Sequence, residues 1–285
     1  FLIQKFILNN KEYDTSVCFI QDLANSFYKI KSKNKILWAH ALLSEMIKED
    51  ISLEKQIPFF LNYNHIIAIS NEVKLDLIYN FKGFQNNIKL LYNPLNRDNI
   101  IKKAGLLYPI EFKKYENKLK ILSIGRLIPS KGFNRLIKLK QKLESENIEA
   151  EFFILGQVEN KQFYNKLKKE INDSGISIHF LGAKENPYPY IKNADIIVQP
   201  SIHEGYGLVV AESLLLNTPV IASNINAYKE FANNEIFYVP NNDDAFSNEA
   251  FEAIKKIISG QRKGDLSNTN ILDIKEYVNQ LKAIL

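Results

Sequence analysis

Residues 119–133 read LKILSIGRLIPSKGF. Leu119–Gly125 is a short apolar run of strand type, and the helix-length segment Phe133–Glu146 follows it. Gly125 gives the backbone room for a tight departure from the strand. Arg126 and Lys131 stand five residues apart across the turn, so both side chains can converge above the carboxyl end of the strand. Open α/β sheets bind their ligands at that end. A planar arginine fork and a lysine point charge suit phosphate oxygens, although two solvated loop charges are the plainer reading. The spacing fails the Gly-x4-Gly-Lys-Ser/Thr pattern of a P-loop. Two cations this close are expected to repel each other until an anion joins them.

A second stretch, 199–214, reads QPSIHEGYGLVVAESL. It follows the strand-like run Asp195–Pro200, and a helix is expected to begin at Gly207 or Leu208. Two glycines flank Tyr206 at the turn into that helix, where freed backbone amides can hold an anion. Glu204 precedes the helix and Glu212 lies inside it, with seven residues between them. The alternative for Glu212 is a carboxylate that merely favours a helix N-terminus.

Outward from these two stretches the chain keeps one rhythm. Strand-like runs occur at Thr15–Ile20, Lys35–His40, His65–Ser70, Ile88–Tyr92, Ala150–Gly156, Ser177–Gly182, Thr218–Ser223 and Glu235–Val239. Most are continuous apolar runs, as expected of strands covered on both faces of a parallel sheet. Helix-length segments such as Lys161–Asp173 and Ala245–Ser259 separate them. Alternation of this kind predicts α/β architecture with doubly wound sheets. Arg97–Leu119 breaks the pattern with Gly105, Pro109 and a lysine-rich run, which places a domain boundary near Lys114.

Composition narrows the field. The 285 residues are 46% hydrophobic and 24% charged, which suits about two globular domains. No run of 18 apolar residues marks a membrane span. The single cysteine, Cys18, excludes an internal disulfide and fits a reducing compartment. The four histidines lack metal spacing. No Gly-x-Gly-x-x-Gly follows a strand, which disfavours a dinucleotide oxidoreductase. Residues 1–115 carry 16 Lys and Arg against 11 Asp and Glu, whereas 116–285 carry 21 of each. A basic first half facing an anionic surface is one reading, and scattered solvated lysines are the other. No aromatic–basic interleaving points to nucleic acid. Residue 1 is Phe and the one methionine is Met46, so a preceding segment is expected.

Gly125-Arg126…Lys131-Gly132 followed by Glu204-Gly-Tyr-Gly-Leu…Glu212 resembles the retaining GT-B glycosyltransferases of family four. Leu181-Gly182, Asn193-Ala194-Asp195 and Thr218–Ser223 resemble the same family. In the first half, so do Ile66–Val73, Leu90–Pro94 and Ile36–His40. The resemblance implies two Rossmann-like doubly wound parallel-sheet domains facing a cleft. Residues 1–114 would form a partial N-terminal acceptor-side domain, and 115–285 the nucleotide-sugar donor-binding domain. The last helix, 273–284, is a candidate to pack back on the first domain. The family's first strand and glycine-rich loop would precede Phe1, so the acceptor domain is expected to be incomplete.

The same resemblance implies roles. Arg126 and Lys131 would hold the donor diphosphate, with Gly125 beneath them. Glu204, His203 and the backbone from Gly205 through Tyr206, Gly207, Leu208 and Val209 would meet the donor sugar and phosphates. Glu212 would bind the ribose hydroxyls, and Ala183 and Lys184 would line the nucleobase. His40 would face the anomeric carbon, or be a satisfied strand-end histidine. Glu204, Arg126, Lys131 and His40 are thus the catalytic candidates. No metal or cofactor is expected, because the nucleotide sugar is a substrate, and a UDP-sugar is favoured over a GDP-sugar. The expected activity is sugar transfer with retention to a glycan or lipid-linked acceptor in bacterial surface polysaccharide synthesis. The expected location is cytoplasmic, with candidate peripheral contact with an anionic membrane and no nucleic-acid partner. The alternative is a non-catalytic nucleotide-sugar-binding fragment or subunit.

Overall fold

The computed structural model describes residues 11–49, 54, 55, 57–231, 236–261 and 272–284. Among these residues ten strands form, each within a few residues of an expected run. They are β1 Tyr13–Cys18, β2 Ser32–Ala39, β3 His65–Ala68, β4 Ile88–Leu90, β5 Leu119–Ile124, β6 Ala150–Leu155, β7 Ile178–Gly182, β8 Ile196–Gln199, β9 Val220–Ser223 and β10 Ile236–Val239. Every pairing is parallel. This is what continuous apolar runs dictate, since both faces of such a strand must be covered.

The chain divides into two compact units, one ending at Pro94 and rejoined by residues from Ile274 onward, the other Leu95–Asp273. The first unit holds a four-stranded sheet in the order β1-β2-β3-β4. The second holds a six-stranded sheet in the order β10-β9-β8-β5-β6-β7.

The boundary at Pro94 corrects the one expected near Lys114. The helix Arg97–Ala104 buries Ile100 and Ala104, and it packs within the second unit against the helix Tyr188–Asn193. Phe112 is fully buried against Phe153 and Tyr190, with ring centroids 4.7 and 5.8 Å away. The stretch that reads as a linker is therefore the lead-in to the second core.

That core follows from periodicity. The helix Arg135–Ser145 buries Leu136, Leu139 and Leu143, which share one helical face. The helix Asp243–Ile258 buries Phe246, Ala250, Phe251 and Ile254 against the same side of the sheet. Asparagines cap three of the described helices: Asn96 accepts from Asn99 N at 3.1 Å, Asn160 from Phe163 N at 2.8 Å, and Asn242 from Ala245 N at 2.8 Å.

Candidate functional site

In the second sheet the chain runs outward from β5 through β6 to β7, then returns to β8 and runs the other way to β10. β5 and β8 are neighbours, so the loops leaving their carboxyl ends emerge side by side. This is the topological switch point at which open α/β sheets form a ligand crevice. The two loops are stitched together. Ile202 N donates to Ser130 O at 2.8 Å, and Gln199 Nε2 donates to Ile124 O at 3.1 Å. Gly132, at φ 63°, lies so close to the second loop that a Cβ would sit 2.2 Å from the Pro200 carbonyl oxygen.

Across this seam Lys131 Nζ lies 2.6 Å from Glu204 Oε1, each side chain 14% exposed. The same Glu204 oxygen accepts from Ser201 Oγ at 2.9 Å and from Tyr228 OH at 3.2 Å. Complete burial, and then the nearby Glu204 charge, hold the Tyr228 phenol well above its ordinary pKa, so it acts as a donor. Arg126 Nη1 pairs with Glu159 Oε2 at 3.0 Å in a far more open setting, with side chains 61% and 42% exposed.

The expected repulsion between Arg126 and Lys131 is therefore corrected. Each cation has its own carboxylate, one from the β8 loop and one from the loop after β6. Gly125 also serves differently from its expected part. Its φ is not positive, and a Cβ there would press on the Lys131 stem at 3.3 Å. What the position needs is space rather than an unusual backbone angle.

The helix Leu208–Leu215 starts beside this pair. Its N-cap is Gly207, in left-handed backbone at φ 86°, and no described side chain caps its first amides. A Cβ on Gly207 would stand 2.4 Å from the Tyr228 ring. The amides of Leu208 and Val209 are thus presented without a capping oxygen, in contrast to the asparagine-capped helices. Leu208 is exposed and Val209 half-buried.

Glu212 is half-buried and accepts from Tyr188 OH at 3.3 Å. Burial pushes its carboxyl up to about 7, against a smaller lowering by that hydrogen bond. It stands in the second turn, beyond reach of the helix N-terminus, so desolvation governs it.

The remaining candidates scatter. The Tyr206 side chain is buried, with its ring 4.7 Å from that of Phe231, so only its backbone faces the loop. His203 and Gly205 are half-buried in the same loop. Ala183 is exposed just after β7. Lys184 is tied to Glu111 at 2.8 Å and lies over the Tyr190 ring. His40 belongs to the first unit, at the carboxyl end of β2. Its Nε2 is buried with no hydrogen-bond partner among the described residues, and its ring lies 5.3 Å from that of Phe19. Burial lowers the His40 pKa, against a smaller raising by a backbone hydrogen bond to Phe19.

Sequence reasoning missed Glu159, Ser201, Tyr188, Tyr228 and Arg135. Glu159 carried a usable signal, since it follows a third strand at the same end of the sheet. Arg135 braces the site from within: it holds Asp243 at 2.6 Å, Asn241 at 2.8 Å and the Pro200 carbonyl at 3.0 Å. No local pattern marks an arginine that sits in a core.

An uncharacterized glycosyltransferase of Methanocaldococcus jannaschii is 30% identical over 213 residues, covering 71% of this chain and 51% of that protein. The capsular polysaccharide biosynthesis glycosyltransferase CapH of Staphylococcus aureus is 29% identical, covering 77% of this chain and 59% of that one. The chain thus spans about half the length of these curated relatives. In fold it matches Anabaena HepE, solved with UDP and glucose, at a TM-score of 0.81 and 16% identity, covering 99% of this chain and 79% of that one. That likeness makes the architecture GT-B. The family model described as glycosyl transferases group 1 matches residues 108–267, more than half the chain and the whole of the seam between β5 and β8. A seam of this design, matched by sequence and by fold, establishes that the chain belongs to the glycosyl transferases group 1 family.

Proposed function

We propose that this chain carries the donor site of a retaining, nucleotide-sugar-dependent glycosyltransferase. The observation that carries the reading is that Lys131 and Arg126, on the loop after β5, and the uncapped amides of Leu208 and Val209, after the loop from β8, all lie on the segments leaving the switch point of one sheet. Cations and oriented amides at one place suit a diphosphate.

In this reading the donor C1–O bond breaks through an oxocarbenium-like transition state, and negative charge builds on the leaving diphosphate. Lys131, Arg126 and the helix amides stabilise that charge. The diphosphate competes with Glu204 for the Lys131 ammonium. Glu204, held by Ser201 and Tyr228, stays at the site to meet the donor sugar. Glu212 accepts from the ribose hydroxyls. Ala183 and Lys184 border the nucleobase. Retention follows from attack on the face the diphosphate leaves, with a diphosphate oxygen taking the acceptor proton.

The donor is a nucleotide-diphosphate hexose, a UDP-sugar before a GDP-sugar, and the acceptor is a glycan or lipid-linked sugar of a bacterial surface polysaccharide. The name of CapH supports the last point, and the UDP and glucose bound to HepE support the first.

A thermal-shift panel of UDP-, GDP- and ADP-sugars tests the reading. A donor at 100 times its dissociation constant stabilises the protein by about 2.7 kcal/mol. A UDP-sugar shift accompanied by transfer supports the proposal. A shift without transfer to any acceptor leaves a binding protein, and no shift with any nucleotide sugar removes the donor site.

A further inference from the structure

Glu204 is held by one of its two carboxylate oxygens. Lys131 Nζ, Ser201 Oγ and Tyr228 OH all approach Oε1, at 2.6, 2.9 and 3.2 Å. Oε2 accepts from none of the described residues. An ionised carboxylate offers about two acceptor sites on each oxygen. Oε1 is therefore fully used, and Oε2 is the oxygen left for a ligand hydroxyl.

The three donors differ in what an incoming anion does to them. Lys131 is a cation, so a diphosphate entering the seam competes for it. Ser201 and Tyr228 are neutral, and the anion has no comparable pull on them. Once the ammonium turns to phosphate, these two bonds fix the direction of Oε2.

Of the two, only Tyr228 comes from outside the Glu204 loop. Ser201 lies three residues before Glu204 and moves with it, whereas Tyr228 belongs to the helix Asn226–Lys229 after β9. Its side chain is fully buried, and its carbonyl accepts from Tyr238 OH at 2.9 Å, which ties it to β10. Its ring is the group that a Cβ on Gly207 would strike at 2.4 Å, so it also bounds the start of the helix Leu208–Leu215. Phenylalanine would fill that space equally well. A buried hydroxyl is costly unless it has a partner, and here the partner is the seam carboxylate.

We propose that Tyr228 is a positioning residue for the donor sugar. Its hydroxyl keeps Oε2 of Glu204 turned toward the sugar after the diphosphate has taken Lys131, and its ring holds the helix amides in register with the same carboxylate. This rests on the donor-site reading above. It adds that recognition of the sugar and of the diphosphate are separable at one side chain, on a segment outside both loops of the seam.

Calorimetry and transfer assays on the full chain make the test. UDP, GDP and ADP are titrated beside their glucose conjugates, and the pair that wild type binds is carried to the variants. Tyr228→Phe keeps the ring and removes the hydroxyl. It should bind the nucleoside diphosphate within about twofold of wild type, bind the nucleotide sugar about tenfold more weakly and lower kcat about tenfold. Tyr228→Leu loses the ring as well and should weaken both ligands. Ser201→Ala should repeat the split of Tyr228→Phe with a smaller loss, and it carries the test should Tyr228→Phe not fold. Equal losses for diphosphate and nucleotide sugar in Tyr228→Phe would overturn the proposal, because the hydroxyl would then serve packing alone. Unchanged affinities and kcat would overturn it too. A wild type that binds no nucleotide would instead remove the donor site, and the proposal with it. A wild type that binds the pair but transfers to no acceptor leaves the calorimetric split to decide.

Discussion

Lys131 and Glu204 are 73 residues apart in sequence and 2.6 Å apart in space, joined across the two loops that leave β5 and β8. The pair is mostly shielded from water, and Glu204 has two further donors in Ser201 and Tyr228. One carboxylate thus ties together the loop that carries the lysine, the loop that precedes the helix, and the segment after β9. Removing either partner leaves the other charge shielded and short of a hydrogen bond.

Lys131→Ala should therefore lower stability by about 1.5–3 kcal/mol. Glu204→Gln should lower it less, because the amide oxygen still accepts from Ser201 and Tyr228. The double variant should cost less than the sum, since the stranded charge is gone. Denaturant unfolding of the four proteins measures the coupling, and strict additivity would mean the pair contributes nothing.

Glu212 makes a pH prediction. Its carboxyl is pushed up to about 7 from 4.5. Between those values the folded chain keeps a proton that the unfolded chain releases, so stability from this group falls as pH rises from 4.5 to about 7. A ligand hydroxyl that donates to the carboxylate favours the ionised form, so nucleotide-sugar affinity should rise across the same window. Glu212→Gln should flatten both trends. Calorimetry with a UDP-sugar at several pH values checks this, and a wild-type affinity that does not change with pH would remove Glu212 from the ribose role.

The strands were legible because parallel strands covered on both faces leave largely apolar runs, as in Phe152–Leu155, where every residue is buried. The positions of Lys131, Glu204 and Gly207 were legible because strand–loop–helix order puts them at one end of the sheet. Their partners were not. Glu159 meets Arg126 only because β6 lies beside β5, and Tyr228 reaches Glu204 only because the chain returns after β9. The boundary failed for a different reason. Arg97–Ala104 buries two residues, too few to give a periodic signal against its lysines.

Gly207→Ala should be among the costliest single-atom additions in the second unit. The backbone there is left-handed at φ 86°, and the added Cβ would overlap the Tyr228 ring at 2.4 Å. Strained backbone costs about 1–3 kcal/mol, and overpacking against a fully buried ring adds a similar amount. Gly175→Ala, also at positive φ but with nothing within 4 Å, should show the backbone part alone. Melting of the two variants separates the contributions, and equal losses would mean Tyr228 moves aside freely.

Arg126 separates chemistry from stability most cleanly. Its pair with Glu159 is 61% and 42% exposed, and exposed ion pairs contribute about 0.2–1 kcal/mol. Arg126→Ala should thus melt almost as wild type does. Transfer should respond very differently. A preorganised cation facing a leaving group is worth about 10²–10³ in rate. Arg126→Lys should restore part of that at most, since an ammonium cannot grip two oxygens with a planar fork. Glu159→Gln supplies the opposite sign. It frees the guanidinium from its competing carboxylate, so donor binding should tighten slightly while the fold is unchanged. Rates for the three variants, each set against its melting temperature, make the test. An Arg126→Ala variant that transfers sugar at the wild-type rate would break the assignment of this cation to the diphosphate, and a Glu159→Gln variant that binds the donor more weakly would show the carboxylate positioning Arg126 rather than competing for it.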